Sequence, residues 1–369
     1  MFPDLPSYRC SCGRRPTPSV ERWRCDCGGL LDLPAAAVTW SPRRGDHSLW
    51  RYQDAIAVPG RELSLGEGMT PLVGASPDGE EGVRLKVEYA SPTGSFKDRG
   101  AVMLVALARL LGATRLVADS SGNAGTAVAA YAARAGLAAE IFVPAGTSDK
   151  KLLQIRGHGA QVTVVDGSRE DTARAAVERV EATGAFYASH VYNPYFYEGT
   201  KTYALEVFEQ LGETAPATLV LPAGNGTLVL GAYLGFAGLR AAGLVDRLPR
   251  VVVVQAQRCA PLAAAFAAGR EDVEPVTPEA TVAEGIAIAA PPRGTRILEI
   301  VRETGGAVVT VTEEEIARAH AALAAQGLWV EPTGAVSYAA VRRLRAEGSP
   351  FMEGAVVAPL CGSGLKASL

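Results

Sequence analysis

A chain of 369 residues with 48% apolar side chains can bury a sizeable core and is long enough for two α/β lobes. Its formal net charge of −3 makes no electrostatic case for nucleic acid or a membrane surface as main partner, so small molecules fit better. The start, MFPDLPSYRC, lacks the basic stretch and apolar run of a secretory signal, and the expectation is a cytoplasmic protein.

The first segment is rich in Cys, Arg, Pro and Gly and has little periodicity. Four of the six cysteines fall in it as CSCG and CDCG, at Cys10, Cys12, Cys25 and Cys27. Four thiolates in two pairs across a short loop suit a structural zinc, which would fold a segment with almost no core. The usual ribbon spacing is Cys-x-x-Cys, so the tighter Cys-x-Cys pairs leave reduced thiols or a local disulfide as alternatives. Such clustering argues against a disulfide framework spread through a secreted fold.

From about Leu63 the pattern changes to short apolar runs alternating with helical periodicity. RLVADS reads as a buried strand before the helical NAGTAVAAYAARAG, while AEIFVPA precedes DKKLLQIRGHG and QVTVVDG precedes the helical REDTARAAVERVEATG. The second half repeats the rhythm with strands TLVLPAG, RVVVVQA, AVVTVT and AVVAPL. Helices over NGTLVLGAYLGFAGLRAAG, PLAAAFAAG, EEEIARAHAALAAQG and TGAVSYAAVRRLRAEG lie between them. Uninterrupted Val/Ile/Leu strands predict parallel sheets covered on both faces by helices. Thr214 to Leu239 carries no charge, yet Pro222, Gly224, Asn225 and Gly226 make it strand, turn and buried helix rather than a membrane span. Gly269 to Arg296 has the weakest periodicity and reads as a long surface excursion.

Ligands of open parallel sheets collect where strands give way to helices. DSSGNAG, Asp119 to Gly125, is one such place: backbone N–H groups and Asn123 could receive an anion, or the same residues could simply cap a helix. PAGNGT, Pro222 to Thr227, has glycines that let a phosphate approach the backbone, or it is a tight turn without a ligand. It is neither a dinucleotide fingerprint nor a P-loop. PLCGSGLK ends a strand at Cys361, where a buried structural cysteine is the plainer reading. Lys97, in SPTGSFKDRGA, sits among small residues with Arg99 near; a desolvated lysine beside a cation is a nucleophile toward carbonyls, and a solvated loop lysine is the alternative. His47, His158, His190 and His320 show no metal-ligand spacing and read as structural or surface residues.

Taken in order, SLGEGMTPLV, VEYASPTGSFKDRGA, SSGNAG, NPYFYEGTKTYALEVFEQLG, PAGNGT, TVAEGIAI, VEPTGA and CGSGLK resemble the threonine synthases. These are pyridoxal-phosphate (PLP) enzymes of fold type II, in the tryptophan synthase β-like superfamily. The resemblance covers roughly Leu63 to Lys366. It implies a Cys-rich, zinc-ribbon-like leader over 1–45, a larger cofactor-binding lobe from 46–95 and 190–369, and a smaller lobe over 96–189. It also implies a homodimer acting on a free amino acid. By resemblance, Lys97 is the Schiff-base lysine and proton carrier at Cα, and Asn123 bonds the cofactor's 3′-hydroxyl. Ser120, Ser121 and Gly122 receive the substrate carboxylate; Gly224, Asn225, Gly226 and Thr227 hold the cofactor phosphate; Cys361 faces the ring nitrogen. Glu88, Glu284 and Glu331 lie in matched segments and read as loop-packing acids.

The implied reaction is O-phosphohomoserine plus water to threonine plus phosphate. Two positions depart from the pattern: Cys361 stands where threonine synthases usually have threonine, and Phe196 where they often have arginine. Lys150, Lys151, Arg156 or Lys201 could replace that phosphate donor. The departures keep open β-elimination or β-replacement on serine, threonine or an activated serine, and more remotely a non-catalytic PLP-binding relative.

Overall fold

The computed structural model describes residues 5–34, 36–75, 82–120, 122–147 and 149–367, with the backbone alone for 150 and 151. The chain divides into two compact units, Met1–Glu67 with Lys97–Thr200 and Gly68–Phe96 with Lys201–Leu369. In chain order the second unit opens with β1 (Leu72–Gly74) and β2 (Val83–Lys86). The first unit then supplies α1 (Lys97–Leu110), β3 (Arg115–Ala118), α2 (Asn123–Ala135), β4 (Ala138–Pro144), α3 (Asp149–Gly157), β5 (Gln161–Val165), α4 (Arg169–Thr183), β6 (Phe186–Tyr187) and α5 (Tyr195–Thr200). The second unit resumes with α6 (Thr202–Gln210), β7 (Thr218–Pro222), α7 (Thr227–Ala241), β8 (Arg250–Ala256), α8 (Pro261–Ala267) and α9 (Gly294–Glu303). It closes with β9 (Ala307–Val311), α10 (Glu313–Ala324), α11 (Pro332–Ala346) and β10 (Val356–Pro359).

The first unit's sheet runs β5-β4-β3-β6, all parallel. The second unit's sheet runs β1-β2-β10-β7-β8-β9 and is parallel except for the β1–β2 pair. The α/β class and the parallel sheets expected from the apolar runs are therefore present. Strand β8 shows why: RVVVVQA is buried from Val251 to Ala256, so both of its faces are covered and no alternation is needed. Helices begin and end on local chemistry. Ser168 and Asp171 form a capping box at the head of α4, and Gly184 ends it in the left-handed conformation.

Each unit has its own core. Val117, Phe142, Ala176, Val180 and Tyr187 cluster in the first, with Trp23 and Tyr192 packed against them. Val220, Val252, Val254, Ile316, Val336, Val356 and their neighbours fill the second. The charge-free stretch resolves into β7, a turn and α7, and among the described residues no helix is long and apolar enough to cross a membrane.

One expectation needs correction. Residues 269–282 lie largely at the surface, but Ala283, Ile286, Ile288 and Arg293 are buried. Up to α9 they lack periodicity because they pack as irregular backbone, with a 3-10 turn at Glu284–Ile286, rather than as a helix or strand face.

Candidate active site

In the first unit, neighbouring parallel strands β3 and β6 end at one edge of the sheet. Val117 is paired with Tyr187, so Asp119, two residues on, lies on the same face as Tyr187. The Tyr187 hydroxyl donates to Asp119 Oδ1 at 2.9 Å. Burial raises the Asp119 carboxyl above its ordinary range, against the opposing pull of Tyr187 and Arg169. Burial and the adjacent carboxyl together push the Tyr187 phenol far up, so it stays a donor. Ser120 follows, Ser121 lies outside the described residues, and Gly122 is the N-cap of α2 with no side-chain cap. Asn123 is half-buried in the first turn. A side chain at Gly125 would collide with the Ser120 carbonyl, so helix and loop touch through bare backbone.

Lys97 opens α1 and is half-buried. Its Nζ lies 5.6 Å from the centroid of the Phe196 ring, a cation–π distance. Phe196 is wholly buried and rests on α1 where Gly100 leaves room for it. His190, in the loop after β6, meets Phe196 edge-on with centroids 5.9 Å apart. Burial, then the charges of Lys97 and Arg169, hold His190 well below the usual imidazole range, so it is neutral. Asp98 and Arg99 are fully buried in α1 rather than lining a loop. Sequence reasoning passed over His190 and Tyr187, because strand-end proximity leaves no spacing signal. His47 and His158 are exposed, and His320 contacts the Val330 carbonyl at 2.9 Å.

In the second unit, neighbouring parallel strands β7 and β10 likewise end together, bringing Gly224–Thr227 and Cys361 to one sheet edge. Gly224 is pressed on Ile286 and Ile288: an added Cβ would stand 2.7 Å from Ile288 Cγ1. Gly226 has φ +70° and faces Ile297, and no side chain caps α7, whose first N–H groups open beside the turn. Gln255, fully buried on β8, steadies this turn by donating to the Ala223 carbonyl at 3.1 Å. Its Oε1 accepts from the N–H groups of Leu262 and Ala263 at the head of α8. Asn225 is half-buried and Thr227 buried. The glycines let the turn pack on Ile286, Ile288 and Ile297, and a helix start with no side-chain cap beside it suits a phosphate. Cys361 is buried, and its carbonyl accepts from Phe96 N–H at 3.1 Å.

The three acids differ in setting. Glu88 is fully buried and accepts from the Thr70 hydroxyl at 2.8 Å. Glu331 precedes α11 with its N–H on the Gly362 carbonyl, and Glu284 is exposed. Of the cations considered as phosphate donors, Arg156 pairs with Asp149 at 3.5 Å and Lys201 is buried before α6; the side chains of Lys150 and Lys151 lie outside the described residues.

In the leader, the sulfurs of Cys10, Cys12, Cys25 and Cys27 all lie within 4.8 Å of one another. Cys10 and Cys27 stand 3.5 Å apart, and Cys12 and Cys25 3.7 Å. Four sulfurs about 2.3 Å from one tetrahedral ion would be separated by about 3.8 Å, so the set fits one ion. Each pair closes a turn with a glycine N–H on the first cysteine's carbonyl: Gly13 on Cys10 at 2.9 Å and Gly28 on Cys25 at 2.8 Å. The Cys12 N–H draws the Cys10 thiol down to about 7. Although the Gly29 N–H lowers it, Cys27 is pushed up to about 12 by the neighbouring thiols, as expected when one negative charge is shared among four sulfurs.

Residues 63–362 match the family described as pyridoxal-phosphate dependent enzyme. The threonine synthase of Methanocaldococcus jannaschii is 32% identical over 374 residues, covering 97% of this chain and 92% of its own. That of Mycobacterium leprae is 36% identical, covering 89% and 90%. Among solved structures, a threonine deaminase from T.th. superposes with TM-score 0.66 at 29% identity, over 78% of this chain and 89% of that one. With its parallel sheets and its match over most of the sequence, the chain belongs to the threonine synthase family of pyridoxal-phosphate dependent enzymes.

Proposed function

We propose that the chain is a PLP-dependent lyase of threonine synthase type, converting O-phosphohomoserine and water to threonine and phosphate. The observation that carries it is Lys97, a half-buried amine held against an apolar ring at the head of α1 in a chain of this family. PLP, when bound, supplies an electron sink for the charge left at Cα. Lys97 would hold the cofactor's carbonyl carbon, and its amine would carry the proton at Cα. Neutral His190 beside the shared ring puts no second cation against that amine.

Asn123 would donate to the cofactor's 3′-hydroxyl, and Ser120, Ser121 and Gly122 would receive the substrate carboxylate. Gly224, Asn225, Gly226 and Thr227 hold the phosphate on backbone donors. Cys361 would face the ring nitrogen with a thiol, which would not keep that nitrogen protonated as a carboxylate would. This favours elimination and replacement over transamination. The four leader cysteines hold a structural zinc, supported by their mutual distances. The homodimer rests on the family resemblance alone.

A second reading, β-elimination on serine or threonine, is favoured by one observation. Phe196 is buried against Lys97 where the family often carries an arginine, so this position offers a phosphate no donor. Phosphate release from O-phosphohomoserine, set against keto-acid release from serine and threonine, separates the two. Absence of phosphate release with brisk keto-acid release overturns the first reading. Lys97→Ala abolishes the visible absorbance of bound PLP and lowers turnover by at least about 10²–10⁴-fold; a variant that keeps both contradicts the role given to Lys97.

A further inference from the structure

Trp23 lies between the two cysteine pairs, two residues before Cys25. Its indole meets Tyr187 edge-on, with centroids 5.3 Å apart and 89° between planes, and meets Tyr192 at 5.3 Å and 76°. Arg24 lies over the Trp23 and Tyr192 rings at 4.8 and 4.7 Å and donates to the Tyr192 hydroxyl. Tyr187 stands on β6, a strand of two residues, which does little to fix a ring by itself. Its hydroxyl is the donor to Asp119, the residue that opens the loop into α2. Contacts therefore run from the leader through Trp23 and Tyr187 to Asp119, where the loop into α2 begins.

A second arm reaches the lysine. The Tyr195 hydroxyl donates to the Pro6 carbonyl at 2.8 Å, and its ring meets Tyr8 edge-on at 5.7 Å. The next residue is Phe196, which lies against Lys97.

We propose that the Cys-rich leader is a positioning element for the active site: Trp23 and Tyr187 brace the start of the loop after β3, at Asp119 and Ser120, where the substrate's carboxylate is received. This rests on the carboxylate role given to that loop above. Tyr187 without its hydroxyl would leave Asp119 short of a donor, and Trp23 cut to alanine would let the Tyr187 ring tilt. Neither residue touches the substrate, so the effect falls on how well the amino acid is held.

The test uses the full chain with PLP bound, titrated with L-serine and with O-phospho-L-homoserine while the cofactor's visible spectrum is followed. Loss of a hydrogen bond to a carboxylate corresponds to a rise of about tenfold in the half-saturating concentration for Tyr187→Phe and Trp23→Ala. Trp23→Phe, which keeps an edge-on ring, restores most of the affinity. The rate at saturation stays within about twofold, because binding and not the chemical step is altered. The spectrum before addition is unchanged. Tyr187→Phe removes one oxygen and keeps the buried ring, so it answers the question even where Trp23→Ala unfolds. Half-saturation unchanged in Tyr187→Phe, or a lost rate at saturation with unaltered affinity, overturns the proposal. A wild-type spectrum that neither compound shifts overturns the carboxylate reading first, and this inference with it.

Discussion

Phe196 occupies the space that a side chain at Gly100 would need, so the ring beside Lys97 is seated directly on the backbone of α1. Alanine at 100 would add up to about 1 kcal/mol of helix propensity. Overpacking a buried ring costs more, about 1–3 kcal/mol. Gly100→Ala is therefore expected to lower the denaturant midpoint and weaken PLP binding together. A more stable variant with unaltered binding would contradict this seating.

His190 gives the fold a pH dependence of known sign. Its folded pKa is well below 6.5, while in the unfolded chain it returns to about that value. Above pH 6.5 both states are neutral and it contributes nothing. Below that, the unfolded chain gains a proton that the folded chain refuses, and stability falls by at most about 1.4 kcal/mol per pH unit. His190→Asn should flatten the decline between pH 6.5 and 5, measured by urea unfolding at each pH; an unchanged slope counts against a neutral buried imidazole.

Lys86 on β2 and Glu206 on α6 form a 2.7 Å ion pair with both side chains out of water. Lys86 also donates to the Thr70 carbonyl and to Gln210, and Glu206 accepts from the N–H groups of Met69 and Thr70. Met69 has φ +46°, a conformation that a non-glycine residue holds only when its neighbours fix it. Glu206→Gln strands the lysine's charge and is expected to cost about 3–5 kcal/mol. Equilibrium unfolding checks this, and a cost below about 1 kcal/mol would place the pair among weak ones.

Gly226→Ala meets two obstacles, the left-handed backbone and Ile297. Holding alanine there costs about 1–3 kcal/mol, so the turn moves and PLP affinity falls by about tenfold or more. Equilibrium dialysis of PLP reads this directly, and wild-type affinity would remove the turn from the phosphate site.

Cys10→Ser should lower bound zinc well below one per chain by metal analysis, with earlier proteolysis of the leader, because a segment this poor in core folds on its metal. Equal zinc in wild type and variant would turn the cluster into four plain thiols.

Much of the fold was written in runs such as RVVVVQA and AVVAPL, whose uninterrupted apolar character comes from burial on both faces. Helix α1 was not, because it is buried from Asp98 through Ala108 and so has no polar face to set a period. The lysine, the glycine turn and the cysteine pairs were legible because their chemistry needs particular residues in a row. The Trp23–Tyr187–Asp119 chain was not, since it joins three distant stretches through side-chain packing. Phe196 could be flagged as unusual from the sequence, but only the structure shows what its ring rests on.

Gln255 turns one amide into a splice between the glycine turn and the start of α8. Its carbonyl end holds the Leu262 and Ala263 amides, and its nitrogen end holds the turn at Ala223. Whatever steadies that turn also slows local opening at the head of a helix that need not meet the ligand. If the turn holds the phosphate as proposed, adding PLP should slow deuterium uptake at Leu262 and Ala263, readable without any substrate being turned over.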